Sequence, residues 1–138
     1  MIISDTGFFV ALGNQTDQDH PLALRLLDHL NEPLITTYPV ITETCYLLLN
    51  RVNNTAQCAF LETISEGMIE VFELDFQCVR RMVTLMRRYN DLPMDMADAS
   101  LVVLAEALGH GRVLTVDRRD FSIYRWNNQE VFENLFQR

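Results

Sequence analysis

Short apolar segments at four places along the chain have the length and composition of buried β-strands. They occupy residues 1–4, 34–36, 69–74 and 112–116, and the third of them is rich in β-branched residues at alternating positions. Longer segments with apolar residues at helical spacing lie between them. Strands and helices therefore alternate, which predicts a parallel sheet because parallel strands need long, usually helical, crossover connections.

The predicted helices have recognisable ends. Thr37 can cap a helix that has Pro39 in its first turn, where a missing N–H costs no hydrogen bond, and Gly67 and Gly109 end two others. We predict helices over residues 21–30, 37–53, 55–66, 76–89 and 96–108, and leave residues 131–135 open between strand and helix. Together these elements predict an α/β fold: a three-layer α/β/α sandwich with a central, mainly parallel sheet of four or five strands, formed by one domain over residues 1–138.

The composition excludes several classes of site. All 11 basic residues are arginines, and the absence of lysine excludes a Walker A phosphate-binding loop and a Schiff-base enzyme. Cys45, Cys58 and Cys78 are scattered without a CxxC pair, which favours free thiols in a reducing compartment over disulfides or a zinc site. The net charge of −8 argues against a general nucleic-acid binder, but it would also result from carboxylates gathered around cations.

The apolar segment over residues 7–12 is not expected to be a secretion signal. No basic segment precedes it, and Asp5 stands where one would be. No apolar run approaches the length that spans a bilayer. We therefore expect a cytoplasmic protein without a membrane partner.

Four acidic residues are predicted to face one edge of the sheet. Asp5 directly follows the first strand and Asp117 the fourth, and sites in open parallel sheets form at the carboxyl ends of strands. Glu43 lies near the start of the helix after the second strand, and Asp98 lies in the first turn of the helix before the fourth, where its placement depends on packing. Such a cluster needs a cation, and oxygen ligands alone favour Mg²⁺ or Mn²⁺ over zinc.

Each acid also has a purely structural interpretation. Asp5 can cap a short helix after the first strand, and Asp95 is a natural N-cap that would leave Asp98 as a first-turn acid favoured by the helix dipole. Asp117 and Asp120 can be turn residues. Glu43 is harder to explain in this way, because its helix looks largely buried and an unpaired buried carboxylate is costly.

The acids and their neighbours resemble the four motifs of the PIN-domain nucleases, and within that family the VapC-like toxins of bacterial toxin–antitoxin pairs. The matching segments are residues 2–7 (IISDTG), 42–43 (TE), 96–101 (MADASL) and 114–117 (LTVD) with Asp120 and Phe121 following. The resemblance covers nearly the whole chain. It implies that four residues are both catalytic and metal-binding: Asp5, Glu43, Asp98 and Asp117. It also implies supporting roles for Thr6, Asp95, Thr115 and Asp120.

The resemblance further implies a ribonuclease that hydrolyses phosphodiester bonds of RNA with Mg²⁺ or Mn²⁺. It also implies a homodimer with a cognate antitoxin protein. Arg80, Arg81, Arg87 and Arg88 are candidate RNA contacts because each pair seven residues apart shares a helix face; a solvated helix face is the alternative.

Two other functions fit parts of the sequence. A non-catalytic PIN-like protein that only binds a partner would not need the four acids. A haloacid-dehalogenase-like phosphatase also begins with a strand and an Asp, but it needs a second Asp where Gly7 stands, and a lysine.

Overall fold

The computed structural model describes residues 1–137, so that Arg138, the last residue of the predicted domain, lies outside the described residues. Its central sheet has five strands in the order β3-β2-β1-β4-β7, and every pairing is parallel. The strands are β1 (Ile2–Ser4), β2 (Leu34–Thr37), β3 (Ile69–Phe72), β4 (Arg112–Leu114) and β7 (Glu133–Asn134). The predicted parallel sheet of four or five strands is confirmed.

Helices flank this sheet, as the predicted three-layer sandwich requires. They are α1 (Thr6–Gly13), α2 (His20–His29), α3 (Tyr38–Arg51), α4 (Asn54–Ser65), α5 (Phe76–Arg88), α6 (Met96–Leu108) and α7 (Arg118–Ile123). Helix α6 is the most deeply buried, with seven consecutive buried residues from Ala99 to Ala105, because almost all of its residues are small or apolar. None of the helices in residues 1–137 is both long and apolar enough to cross a membrane.

The segment after β4 differs from the prediction. Strand β4 ends at Leu114 instead of residue 116, and the short helix α7 follows where only turns were expected. A two-stranded antiparallel hairpin, β5 (Arg125–Trp126) and β6 (Glu130–Val131), was not predicted. The open segment 131–135 is part of a strand, β7, at the edge of the sheet. These elements have two to six residues, which is too short for a periodic pattern to reveal them.

The strand order creates a natural site between β1 and β4. The chain proceeds outward from β1 through β2 to β3, and then returns to place β4 on the other side of β1. At such a reversal the connections leave two neighbouring strands in opposite directions, which opens a crevice at their carboxyl ends. The register pairs Ser4 with Leu114, so that Asp5 and Thr115 are the first residues beyond the sheet on these two strands.

Candidate metal centre

Asp5 is held at the carboxyl end of β1 by hydrogen bonds to both of its carboxylate oxygens. The backbone N of Thr6 donates to Oδ1 at 2.7 Å, and the Thr115 hydroxyl donates to Oδ2 at 2.8 Å. The Asp5 backbone N also donates to the carbonyl of Leu114 at 3.0 Å, which continues the β1–β4 ladder by one residue. Asp5 therefore caps α1, as the structural interpretation expected, and at the same time presents a buried, oriented carboxylate.

Thr115 links the first and fourth predicted motifs. Its hydroxyl, which donates to Asp5, accepts a hydrogen bond from the backbone N of Asp117 at 3.0 Å, and the whole residue is buried. One side chain thus fixes the carboxylate of Asp5 and the backbone that carries Asp117. The predicted supporting role of Thr115 now has a geometric basis.

The side chain of Asn134 forms hydrogen bonds with the backbone of Thr115, the first residue after strand β4. Its side-chain amide donates to the Thr115 carbonyl at 3.0 Å, and its Oδ1 accepts from the Thr115 backbone N at 3.2 Å. Oδ1 also accepts from the backbone N of Phe136 at 3.0 Å. Strand β4 therefore ends at Leu114, because the side chain of Asn134, and not a neighbouring strand, makes the hydrogen bonds to the backbone of Thr115. The contribution of Asn134 was missed in the sequence, because an Asn near a chain end gives no signal of a partner 19 residues away.

Asp117 and Asp120 belong to the beginning of α7. The side chain of Asp117 caps this helix by accepting from the backbone N of Asp120 at 3.1 Å. Both residues are half-buried. The interpretation of these two acids as turn residues is wrong, because Asp117 is the N-cap of α7 and Asp120 lies in its first turn. Both carboxyl groups are therefore at the N-terminal end of this helix.

Packing of α6 brings Asp98 to the same place. The Thr37 hydroxyl at the end of β2 hydrogen-bonds to the Ser100 hydroxyl of α6 at 2.6 Å, in a fully buried contact. The first turn of α6 therefore lies over the carboxyl ends of the strands. Carboxylate oxygens of Asp98, Asp117 and Asp120 all lie within 4.8 Å of one another, close enough to share one metal ion.

Glu43 and Asp95 lie beside this group of three acids and are not members of it. Glu43 is half-buried on α3, and its charge contributes to raising the pKa of Asp5. Asp95 is exposed and caps α6 by accepting from the backbone N of Asp98 at 2.9 Å. Both line a surface groove of about 630 Å³ whose walls include Tyr38 and Tyr46. Glu43 was expected on a largely buried helix face, but Tyr46, three residues away, is 65% exposed.

The pKa values of the central acids show that their charges are poorly compensated by the protein. Burial, together with the charges of Glu43 and Asp117, raises the pKa of Asp5 to about 6, against the opposing hydrogen bonds from Thr115 and Thr6. Burial and then the charge of Asp5 raise the pKa of Asp98 to about 8. Burial also raises the pKa of Asp117. In residues 1–137 the one ion pair to this group is a 3.9 Å contact between Arg119 and Asp120.

The donor set fits a hard divalent cation. All of the converging groups are carboxylates, which Mg²⁺ and Mn²⁺ accept and which leave zinc without its preferred nitrogen or sulfur ligands. Beside Asp5, the buried Thr6 hydroxyl is the one buried side-chain polar atom in the described part of the chain without a hydrogen-bond partner. Buried polar groups normally have partners, and a bound ion or its water is a common explanation when they do not.

The four arginines proposed as RNA contacts are not equivalent. Arg81 forms a two-point ion pair with Glu106, at 2.8 and 3.0 Å, and also donates to Asn128. Arg88 donates to the same Asn128 oxygen. Arg80 and Arg87 are exposed on the same helix. The ion pair with Glu106 therefore holds Arg81 at a point on α6 that is eight residues beyond Asp98, or roughly 12 Å along the helix axis at 1.5 Å per residue.

Comparisons with known proteins identify the family of this chain. A sequence model of the PIN domain matches residues 2–127. The ribonuclease VapC26 of Mycobacterium tuberculosis (strain ATCC 25618 / H37Rv) is 29% identical over 124 residues, which cover 90% of this chain and 92% of that protein.

Solved structures of similar fold include those of two toxin proteins or complexes. The crystal structure of VapC20 from M. tuberculosis, a toxin that cleaves the sarcin–ricin loop, has a TM-score of 0.81 and 24% identity, covering 86% of this chain and 92% of its own. VapBC2 from Rickettsia felis, solved bound to a DNA fragment from its promoter, has a TM-score of 0.66 and 18% identity over 97% of this chain and 98% of its own. Since the family match spans most of the chain and all four acidic motifs, the protein belongs to the PIN domain family.

Proposed function

We propose that this chain, as one domain over residues 1–138, is a metal-dependent endoribonuclease of the VapC toxin type. The observation that supports it best is the convergence of Asp98, Asp117 and Asp120 next to the buried Asp5, at the crevice between β1 and β4. The relatives named ribonuclease VapC26 and sarcin–ricin loop cleaving toxin VapC20 support RNA as the substrate class.

The proposed metal ligands are drawn from Asp5, Glu43, Asp98 and Asp117, with Asp120 close enough to Asp98 and Asp117 to join them. Thr6, Thr115 and Asp95 support them, the first two at Asp5 and the last at the start of α6. Mg²⁺ or Mn²⁺ in this site would activate a water for attack on phosphorus and offset negative charge on the phosphate. The chain's own residues orient the carboxylates through Thr115 and the caps of three helices, and no side-chain nucleophile is required.

A chain with a net charge of −8 needs local positive charge to bind RNA. A bound divalent ion removes part of the repulsion, and exposed arginines offset more of it. Of the four candidates, Arg80 and Arg87 are exposed and form no ion pair within residues 1–137, whereas Arg81 is occupied by Glu106. We therefore propose Arg80 and Arg87 as the RNA contacts. Arg88 is less available, because its guanidinium donates a hydrogen bond to Asn128.

The purified protein should cleave cellular RNA in the presence of Mg²⁺ or Mn²⁺, and EDTA should stop the reaction. Asp117→Asn, purified by the same procedure, should be inactive, whereas Asp28→Asn, an exposed acid on α2, should cleave like the wild type. Gel analysis of total RNA over a series of metals measures the result. Equal cleavage by wild type and Asp117→Asn would indicate a contaminating nuclease. No cleavage of any RNA with any metal would favour the non-catalytic interaction protein.

We further propose a homodimer and a cognate antitoxin. Several large apolar side chains are exposed, and Phe76 on α5, at 85%, is the extreme case. Exposed apolar side chains that lie together on a surface are typical of protein interfaces, and we infer that those on the helices serve both contacts. A basic side chain of an antitoxin segment could replace the charge of the metal among the carboxylates.

Two properties should therefore be found together. Sedimentation should show a dimer at micromolar concentration, and a small protein encoded beside this chain should co-purify with it and inhibit RNA cleavage. Phe76→Ser should shift the equilibrium toward monomer if α5 is in the interface. A monomeric wild type without any co-purifying partner would contradict both proposals.

A further inference from the structure

Tyr124 connects the segment after α7 to the acidic site. Its hydroxyl donates to Oδ2 of Asp98 at 2.7 Å, across 26 residues of sequence, and the residue is completely buried. Tyr124 lies outside the four acidic motifs, and nothing in the sequence drew attention to it. It is the one neutral side chain in the described residues that hydrogen-bonds to the carboxylate of Asp98.

The ring of Tyr124 is fixed by its neighbours. It makes edge-to-face contacts with Tyr89 at 5.1 Å and with Phe121 at 5.2 Å between ring centres. The backbone N of Arg125, the next residue, donates to the Tyr89 hydroxyl at 3.0 Å, and its guanidinium donates to the Tyr124 carbonyl at 2.9 Å. A ring that packs against two other rings, with hydrogen bonds to the backbone on either side of it, is held in place, so its hydroxyl defines one position for Asp98.

The position of Asp98 needs such a constraint. A first-turn aspartate on a helix has several staggered rotamers, and only some of them direct a carboxylate oxygen toward Asp117 and Asp120. The hydrogen bond occupies Oδ2 and leaves Oδ1 without a protein donor in the described residues. Groups that hydrogen-bond to metal ligands typically change metal affinity or activity 10- to 100-fold when they are removed.

We propose that Tyr124 is a positioning residue that holds the carboxylate of Asp98 in the orientation required for metal binding. This inference rests on the metal site of the proposed function. Tyr124 would act for Asp98 as Thr115 acts for Asp5, each donating one hydroxyl hydrogen bond to one carboxylate oxygen.

Tyr124→Phe removes the hydroxyl and keeps the ring, and Thr63→Val is its control. The control also removes one hydroxyl hydrogen bond, the one that Thr63 donates to the Phe60 carbonyl within α4, and this bond involves neither Tyr124 nor its neighbours. Mn²⁺ binding, followed by electron paramagnetic resonance of free Mn²⁺, should weaken about 10-fold or more for Tyr124→Phe. It should stay close to the wild-type value for Thr63→Val. With active enzyme, Tyr124→Phe should need about 10-fold more Mn²⁺ for half-maximal cleavage while the KM for RNA stays unchanged.

A purely structural role predicts a different pattern. Both variants would then lose melting temperature in EDTA, and neither would lose Mn²⁺ affinity; that result overturns the proposal, as does equal weakening by both variants. If Tyr124→Phe does not fold, Tyr124→Met replaces it, because it fills a similar apolar volume and also lacks the hydroxyl. Unchanged Mn²⁺ affinity in a folded Tyr124→Met would then overturn the proposal. A wild type that binds no Mn²⁺ overturns the metal site itself, and the role of Tyr124 with it.

Discussion

Asp98→Asn should lose RNA cleavage and yet melt at a higher temperature than the wild type in EDTA. Without metal, burial and the neighbouring charge of Asp5 raise the pKa of Asp98 to about 8, with smaller contributions from Asp95 and Asp117. Asparagine keeps the shape, still accepts the hydrogen bond from Tyr124 through its amide oxygen, and removes the cost of either holding a charge or taking up a proton there on folding. Two carboxylates a few ångströms apart repel by roughly 1 to 4 kcal/mol at effective dielectrics between bulk water and the protein surface.

The metal should reverse this order of stability. Mg²⁺ or Mn²⁺ that binds only the folded wild type stabilises it by mass action, whereas Asp98→Asn has lost a ligand. Differential scanning calorimetry in EDTA and over a series of Mg²⁺ concentrations measures both effects, with Asp28→Asn as the control for removing any surface charge. A variant that is less stable than wild type in EDTA and insensitive to Mg²⁺ would show that Asp98 only supports the first turn of α6.

The parts of the fold that the sequence predicts are those with repeated local signals. Four of the five sheet strands and five helices have apolar runs of sufficient length, bounded by residues such as Pro39, Gly67 and Gly109. Gly109 ends α6 with a left-handed backbone, at φ 77°, which glycine adopts without strain. The parallel arrangement follows from the alternation of strands and helices, and it places Asp5 and Asp117 at one edge before any distance is measured.

The candidate site can likewise be predicted from the sequence only where local patterns determine it. Which acids meet depends on contacts between distant segments, such as the buried hydrogen bond from Thr37 to Ser100 that sets α6 over the strand ends. It also depends on α7, whose six residues bring Asp120 into the group of three acids. Local sequence patterns contain no information about such pairs. Asp120 was therefore expected only as a supporting residue, and Tyr124 was not expected at all.

The site also shows why capping and metal binding are not competing explanations. Asp5, Asp95 and Asp117 each cap a helix, and these three helices begin at the edge of the sheet where the acids converge. The backbone N–H groups of a helix's first turn stabilise a nearby carboxylate and fix its direction. The fold thus offsets part of the repulsion among the acids with backbone donors, and the metal is left to offset the rest.

The metal-free protein should become less stable as the pH rises from about 5 to 8. The folded pKa values of Asp5, about 6, and of Asp98, about 8, both lie above the ordinary value of 3.8. Between the ordinary and the raised pKa the folded state binds more protons than the unfolded state. The free energy of unfolding therefore falls with pH in this range, by at most about 1.4 kcal/mol per pH unit for each group, and becomes level above pH 8.

Urea unfolding in EDTA at intervals between pH 5 and 8.5 measures this slope. Asp98→Asn should remove the slope between pH 6 and 8 and keep the part below pH 6 that comes from Asp5. Saturating Mg²⁺ should also flatten the wild-type curve or reverse its sign, because the ion favours the ionised carboxylates and binds more tightly as protons leave. Stability in EDTA that is independent of pH, or that rises from pH 5 to 8, would mean that the two carboxylates are ionised in the folded protein without a cation. The electrostatic argument for a metal at this site would then be lost, even if the protein cleaved RNA.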